Sequence, residues 1–98
     1  VIAKRTLREY WGRHPETEQA LKAWHAEAEK AVWQTPDDIK AQYGNASILK
    51  DSRVVFNICG NAHRLIVKIN YDVGIIFVKF VGTHTEYDQI DAETIHAY

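Results

Sequence analysis

Three segments in the second half of the chain combine alternating side-chain polarity with turn residues at their ends. They run from Arg53 to Cys59, His63 to Tyr71 and Ile75 to Val81, and all are rich in Val, Ile and Phe, which favour strands. Gly60-Asn61 separates the first two segments, and Asp72-Val73-Gly74 separates the last two. These residues are typical of hairpin turns, so the pattern predicts three antiparallel strands that are neighbours in one sheet.

Alternation along a strand sorts these side chains onto two faces of the predicted sheet. One face is expected to form the core and comprises Val54, Phe56, Ile58, Leu65, Val67, Ile69, Tyr71, Ile76, Val78 and Phe80. The other face mixes bases and amides with apolar residues: Arg53, Val55, Asn57, Cys59, Arg64, Ile66, Lys68, Asn70, Ile75, Phe77, Lys79 and Val81. This mixed face is either a solvated sheet surface or a concave surface for RNA, on which bases bind phosphate and Phe77 stacks on a nucleobase.

The first half of the chain has the periodicity of helices. Thr6 and Glu9 have capping-box spacing, which predicts a helix that runs to about His14. Pro15 suits the first turn of a second helix, predicted over Glu16 to Gln34. The apolar positions of that helix recur at spacings of three and four: Leu21, Trp24, Ala28, Ala31 and Val32.

Local signals also mark three shorter elements. Thr35-Pro36-Asp37-Asp38 predicts the start of a third helix that ends near Gly44. Val1 to Ala3 is compatible with a short first strand, and Thr83 with Glu86 predicts a cap for a short final helix. Helices followed by an antiparallel sheet predict an α+β fold, with the N-terminal helices packed on one face of the sheet.

Length and composition limit the class of protein. A chain of 98 residues predicts a single domain over residues 1–98. The hydrophobic share of 46% and charged share of 26% are those of a globular protein rather than a disordered one. Cys59 is the only cysteine, so no internal disulfide is expected, and a reducing compartment such as the cytoplasm fits best.

The distribution of charge is more informative than the net charge of −1. Between residues 50 and 79 the bases outnumber the acids: Lys50, Arg53, Arg64, Lys68 and Lys79 against Asp51 and Asp72. From His84 onward there is no Lys or Arg, and the acids are Glu86, Asp88, Asp91 and Glu93. This pattern predicts a phosphate-binding surface in the middle of the chain with an acidic tail beside it.

The run Thr83-His84-Thr85-Glu86-Tyr87-Asp88 is the strongest candidate for chemistry, because His, Glu, Tyr and Asp are all general acid–base side chains. The alternative is a capped, polar helix start in which Glu86 is structural. Arg64 and Lys68 share one strand face about 13 Å apart, a distance that spans two phosphates; alternatively, they are two surface bases. His84 and Asp88 form a rival metal pair, but catalytic zinc usually has three protein ligands, so no metal is expected.

Two motifs resemble the HigB toxin family. They are Val55-Phe56-Asn57-Ile58-Cys59-Gly60-Asn61-Ala62-His63-Arg64-Leu65 and Val81-Gly82-Thr83-His84-Thr85-Glu86-Tyr87-Asp88, with Tyr71 and Pro36-Asp37-Asp38-Ile39-Lys40 as further matches. The resemblance covers nearly the whole chain. It implies a RelE-like fold and the toxin of a type II toxin–antitoxin system, an endoribonuclease that cuts mRNA, typically on the ribosome, without a metal or other cofactor. The implied partner is a helix-turn-helix, HigA-like antitoxin that neutralises the toxin and represses the operon with it, so that operator DNA is reached only through the antitoxin.

The resemblance also implies roles for residues in the two motifs. Arg64 is the cation on the phosphorane oxygens, His84 the acid or base, and Tyr87 a second proton donor or an orienting group. The expected RNA-binding residues are Arg53, Asn57, Asn61, Lys68 and Lys79. Two alternatives stay open: a non-catalytic module of the same fold that binds an antitoxin or RNA, and a metal-dependent hydrolase.

Overall fold

The computed structural model describes residues 4–96, in which three α-helices precede a four-stranded sheet and one short helix follows it. The helices are α1 (Arg5–Arg13), α2 (Glu18–Lys30) and α3 (Pro36–Gln42), with a 3-10 turn (Pro15–Thr17) before α2. The strands are β1 (Ser47–Ile48), β2 (Arg53–Ile58), β3 (His63–Asn70) and β4 (Ile75–Thr83), followed by α4 (His84–Tyr87). The strands lie in the order β1-β2-β3-β4 with every pair antiparallel, which confirms the α+β prediction. The strand expected at Val1 to Ala3 lies outside the described residues.

The core lies between the N-terminal helices and one face of the sheet. Phe56 on β2 is at its centre, and three aromatic rings surround it at 5.1–6.1 Å between centroids: Trp24, Trp33 and Tyr43. The helices contribute Leu7, Tyr10, Leu21, Ala28 and Ile39 to the same cluster. The faces predicted for β2 and β3 are confirmed, since Val54, Leu65 and Val67 are fully buried there. None of the described helices is long and apolar enough to cross a bilayer.

A β-bulge in β4 overturns the predicted facing of two residues. Ile66 pairs with Phe80, whereas Val67 pairs with Val78, so β4 carries one extra residue at Lys79. Beyond this point the alternation reverses, because an inserted residue shifts the side-chain parity by one. Val81 is therefore buried in the core, and Phe80 is only partly buried and opposes Ile66 on the other face.

The helix boundaries confirm some local signals and correct others. Thr6 lies inside α1, whose N-cap is Lys4, so the predicted capping box with Glu9 is wrong. The end predicted for α2 is also wrong, because Ala31 turns extended and leaves Val32 exposed. Because the helix ends early, the chain changes direction and the ring of Trp33 packs on Phe56. The cap of α3 is confirmed: its Asp38 carboxylate accepts the Thr35 N–H at 3.1 Å.

Candidate active site

One corner of the sheet brings the two motifs together. The first residues of β3 pair with the last residues of β4, with His63 opposite Thr83 and Arg64 opposite Gly82. The backbone N–H of His84 donates to the carbonyl oxygen of Ala62 at 2.9 Å. The start of α4 is therefore held against the β2–β3 turn, and Arg64, His84 and Tyr87 lie at the same end of the sheet.

The guanidinium of Arg64 is held in place by two carbonyls and an aromatic ring. Its Nη1 donates to the carbonyl oxygens of Asn61 at 2.8 Å and His63 at 3.2 Å. Its Cζ lies 5.6 Å from the centroid of the Tyr87 ring, a cation–π distance. Among the described residues, Nε and Nη2 have no hydrogen-bond partner, so they can bind an anion such as a phosphate.

Helix α4 begins with the capping box that its sequence predicts. The Glu86 carboxylate accepts the Thr83 N–H at 2.8 Å, and the Glu86 N–H donates to the Thr83 hydroxyl at 3.2 Å. The bond from the Thr83 backbone is the main reason why the pKa of Glu86 is lowered, and the charges of His14 and Arg13 add to it. Glu86 is therefore a structural member of the motif, kept ionised by its cap.

The imidazole of His84 is accessible and has a carboxylate beside it. Its Nε2 lies 3.4 Å from Oδ2 of Asp88, one helical turn later, and both side chains are more than half exposed. A carboxylate in this position can orient an imidazole and stabilise its protonated form. Among the described residues, this pair belongs to no group of three side chains that could hold a metal ion.

The five residues predicted to bind RNA divide into two groups. Asn57 pairs with Arg64 across β2 and β3, and Asn61 lies in the adjoining turn, so both are at the same corner of the sheet as Arg64. Arg53, Lys68 and Lys79 lie toward the other end of the strands, where Lys68 pairs with both Arg53 and Phe77. Burial, and then the charges of Arg53 and Lys68, lower the pKa of Lys79. The three bases thus form one cluster about 13 Å from Arg64 along the strand.

The C-terminal segment, residues 88–96, lies over this basic cluster. The guanidinium of Arg53 is buried and donates to the carbonyl oxygens of Ala92 at 3.1 Å and Ile95 at 2.7 Å. Nζ of Lys79 lies 3.0 Å from Nδ1 of His96. Ile66 is fully buried although it is not part of the core beneath the helices. The expectation of an open mixed face is therefore wrong at Arg53, which residues 92–95 cover, and at Ile66, which is buried.

An accessible groove nevertheless lies beside the basic cluster. It has a volume of about 300 Å³, and its lining includes Lys68, Tyr71 and Phe77. The ring of Phe77 is 47% exposed, so it can stack on a nucleobase while Lys68 binds the phosphate next to it. The role of Phe77 and Lys68 in binding RNA stays a prediction, and this groove is where it would operate.

Sequence reasoning missed two features because both depend on the tertiary fold. The segment 88–96 has no strand or helix period, and only Ile90 and Ile95 in an otherwise polar stretch hint that it packs. The second feature is a group of three metal-ligating side chains, His14, Glu16 and His63. His14 was interpreted as a helix end, and no local spacing links it to His63 on a strand 49 residues away.

Comparison with known proteins places this geometry in context. Residues 17–90 match the model of the family HigB_toxin, described as the RelE-like toxic component of a toxin–antitoxin system. The chain is 26% identical over 90 residues to "mRNA interferase toxin HigB" of Escherichia coli (strain K12) and to "mRNA interferase HigB" of Shigella flexneri, covering 90% of this chain and 86% of each relative. A further "mRNA interferase HigB", from Escherichia coli O6:H1, is 26% identical over 92 residues, which is 92% of this chain and 89% of the relative.

Proposed function

The chain belongs to the HigB family of RelE-like toxins, and we propose that it is the toxin of a type II toxin–antitoxin pair that cleaves mRNA as an endoribonuclease. The observation that carries the proposal is the arrangement at one corner of the sheet. There the Cζ atom of Arg64 lies 5.6 Å from the centroid of the Tyr87 ring, and Tyr87 is on the same helix as the accessible His84. The relatives named mRNA interferases support the same activity.

The proposed reaction uses the RNA as its own nucleophile. The ribose 2′-hydroxyl loses its proton and its oxygen bonds to the adjacent phosphorus, while the bond from phosphorus to the 5′-oxygen breaks and that oxygen takes up a proton. The products are a 2′,3′-cyclic phosphate and a 5′-hydroxyl. Proton transfer needs a side chain that can both accept and donate a proton, a role that suits the exposed imidazole of His84.

Charge accumulates on the nonbridging oxygens as the phosphorane forms, and Arg64 is placed to stabilise it. A guanidinium that is already held by the carbonyls of Asn61 and His63 needs little reorganisation during the reaction. Tyr87 fixes the plane of the guanidinium through its ring, or supplies a second proton through its hydroxyl. Asn57 and Asn61 are proposed to hydrogen-bond the RNA at this corner.

The basic cluster is proposed to bind the RNA backbone at a point some distance from the reacting phosphate. Lys68 and Phe77 line the accessible groove and bind one phosphate and one base. Arg53 and Lys79 contact residues 92–96, so their predicted contacts with RNA require this segment to move. The proposed contact surface therefore has two exposed parts, Arg64 near the start of β3 and Lys68 with Phe77 toward its end, because Ile66 between them is buried.

Membership of the family implies an antitoxin partner. We propose that this partner is a HigA-like helix-turn-helix protein, that operator DNA is reached only through it, and that mRNA is cut on the ribosome, hence in the cytoplasm. We further propose that cleavage needs no metal or other cofactor, since an acid, a base and a cation come from the chain itself.

Expression in a bacterial host tests the proposal. Induction of the chain should arrest growth, the cognate antitoxin should relieve the arrest, and His84→Gln should grow normally, because loss of a general acid or base costs about 10²–10⁴-fold in rate. The matched control is His96→Gln, another exposed histidine, which should still arrest growth. Normal growth with soluble, folded wild-type protein would favour the non-catalytic module.

The products and the effect of EDTA test the mechanism separately. Purified protein should cut mRNA in a translation extract, and the fragments should carry a 2′,3′-cyclic phosphate, provided that the extract does not hydrolyse it. Protein that is first stripped of metals with EDTA should give the same RNA ends. Loss of cleavage after stripping, with recovery on adding back zinc or manganese, would instead support the metal-dependent hydrolase.

A further inference from the structure

We propose that His14, Glu16 and His63 form a zinc-binding site on the helix side of the sheet, from side chains that the proposed RNA cleavage does not use. Nitrogen atoms of the two imidazoles and one carboxylate oxygen all lie within 4.8 Å of one another. His14 follows α1, Glu16 lies in the 3-10 turn, and His63 begins β3. The site would tie the end of the first helix to the sheet.

Two of the three separations between the ligand atoms are close to those of a tetrahedral zinc site. Bonds of about 2.0–2.1 Å to nitrogen and oxygen place neighbouring ligand atoms about 3.3 Å apart. Nε2 of His63 lies 3.2 Å from Oε2 of Glu16, and Nδ1 of His14 lies 3.7 Å from the same oxygen. The third separation, between the two imidazole nitrogens, is at most 4.8 Å, so the side chains would draw together around the ion.

The chain also supplies the supporting contacts that such a site needs. The hydroxyl of Tyr10 lies 2.7 Å from Nδ1 of His63. With Nε2 bound to zinc, Nδ1 carries the proton and donates to this hydroxyl, an arrangement that fixes the tautomer of a ligating histidine. Tyr10 also stacks on the ring of His14, with 4.4 Å between centroids, so one buried tyrosine orients both imidazoles.

One of the three proposed ligands is buried and two are accessible to solvent, an arrangement that allows an ion to enter from solvent. The side chain of His63 is 5% exposed, whereas Glu16 is 58% and His14 30% exposed. The buried ligand is rigid, and the exposed ones leave an entry path and a fourth position for water. Two imidazoles and one carboxylate are a donor set that zinc accepts readily.

The site shares no side chain with the proposed endoribonuclease, and zinc binding does not depend on RNA cleavage. The two sites are neighbours, because His63 pairs with Thr83 and its carbonyl oxygen accepts from Arg64. His63 contacts Tyr10 beneath the sheet, whereas the next residue, Arg64, contacts Tyr87. The family match starts at residue 17, after His14 and Glu16. The expected role is structural: an ion that binds only the folded chain stabilises it, and the stabilisation grows with the logarithm of the free-ion concentration once this exceeds Kd.

Calorimetric titration of the metal-stripped chain with zinc chloride alone tests the site. We expect one ion per chain and a rise in Tm, and cobalt(II) should give the visible d–d absorption of a four-coordinate complex. Glu16→Gln and His14→Gln should each weaken binding by more than about tenfold, since even a change in a supporting residue costs about 10–100-fold. The matched control is His84→Gln, which removes the other exposed histidine–carboxylate pair and should leave zinc affinity unchanged.

Three results would overturn the proposal. They are no saturable binding by folded wild-type protein, unchanged affinity in both Glu16→Gln and His14→Gln, and loss of binding in His84→Gln alone. Because the ion does not touch the reacting atoms, RNA cleavage well below the Tm of the stripped protein should be the same with and without zinc. Failure of zinc binding with intact cleavage would reject this site and leave the proposed endoribonuclease standing.

Discussion

At the scale of single residues, the orientation of Arg64 is the feature on which the proposed chemistry depends. The carbonyls of Asn61 and His63 occupy Nη1, and the Tyr87 ring lies 5.6 Å from the guanidinium carbon. These contacts restrict a long side chain that would otherwise sample many rotamers. The remaining donors are thereby fixed before the substrate arrives, which is how a positioned cation stabilises a transition state effectively.

Two substitutions of Tyr87 distinguish the contribution of its ring to RNA cleavage from that of its hydroxyl. Tyr87→Phe should keep RNA cleavage within about tenfold of wild type, because the ring face beneath Arg64 is retained. Tyr87→Ala should lose more, because Arg64 then loses its ring contact and is held only by the carbonyls of Asn61 and His63. The measurement is the single-turnover cleavage rate of both variants. A loss of about 10²–10⁴-fold in Tyr87→Phe would contradict the orienting role and assign the hydroxyl as the proton donor.

At the scale of elements, the junction between β4 and α4 sets the position of the helix that carries His84 and Tyr87. Gly82 pairs with Arg64, and the Phe80 ring folds so closely over it that a Cβ at Gly82 would lie 2.5 Å from Cζ of Phe80. Oε1 of Glu86, the cap of α4, would lie 3.1 Å from the same Cβ. A side chain at this position would therefore press on both the bulged strand and the cap.

Gly82→Ala should lower both stability and activity. Overpacking of this kind costs about 1–3 kcal/mol, and a shift of the Glu86 cap would displace His84 and Tyr87. Thermal unfolding and cleavage rate measured together check the prediction. The matched control is Gly12→Ala in α1, where a Cβ meets nothing within 4 Å and helix propensity should increase stability slightly. Wild-type stability and cleavage in Gly82→Ala would show that the ring of Phe80 moves aside without cost.

The elements also show which parts of the fold local sequence can predict. The caps of α3 and α4 are predicted correctly because Thr35 with Asp38, and Thr83 with Glu86, interact within four residues. The bulge at Lys79 is not, because it arises from the pairing of β3 with β4 rather than from any turn residue in β4. The end of α2 is missed for a similar reason: Trp33 leaves the helix to reach Phe56 on a distant strand.

At the scale of the whole molecule, the acidic C-terminal segment and the basic cluster are parts of one packed unit. The sequence pattern predicts both the basic cluster and the acidic tail, but it also predicts that the mixed sheet face is open to solvent. The structure covers it, because Arg53 is buried and bonded to the carbonyls of Ala92 and Ile95. Neither contact has a local sequence signal, since the partners are 39 and 42 residues apart. The corner of Arg64, His84 and Tyr87 is predictable from the motifs, but the cover is not.

Arg53→Met tests whether this contact holds the C-terminal segment in place. Methionine keeps the apolar stem and removes two hydrogen bonds from a charged donor, each worth about 1.5–3 kcal/mol. Amide hydrogen exchange in residues 90–96 should become faster while exchange in β2 and β3 stays slow. The control is Lys50→Met, an exposed base just before β2, which should leave both unchanged. Undiminished protection of the segment in Arg53→Met would show that other contacts hold it.

The cleavage rate of Arg64→Ala in a translation extract tests the central claim most directly. Arg64 faces away from the helix-side core, so the variant should keep its Tm while cleavage falls by about 10²–10³-fold, the loss expected when one charge-stabilising group is removed. Arg8→Ala, which removes an exposed arginine from α1, should cleave like wild type. A folded Arg64→Ala protein that cuts mRNA at the wild-type rate would contradict the assignment of the active site to this corner.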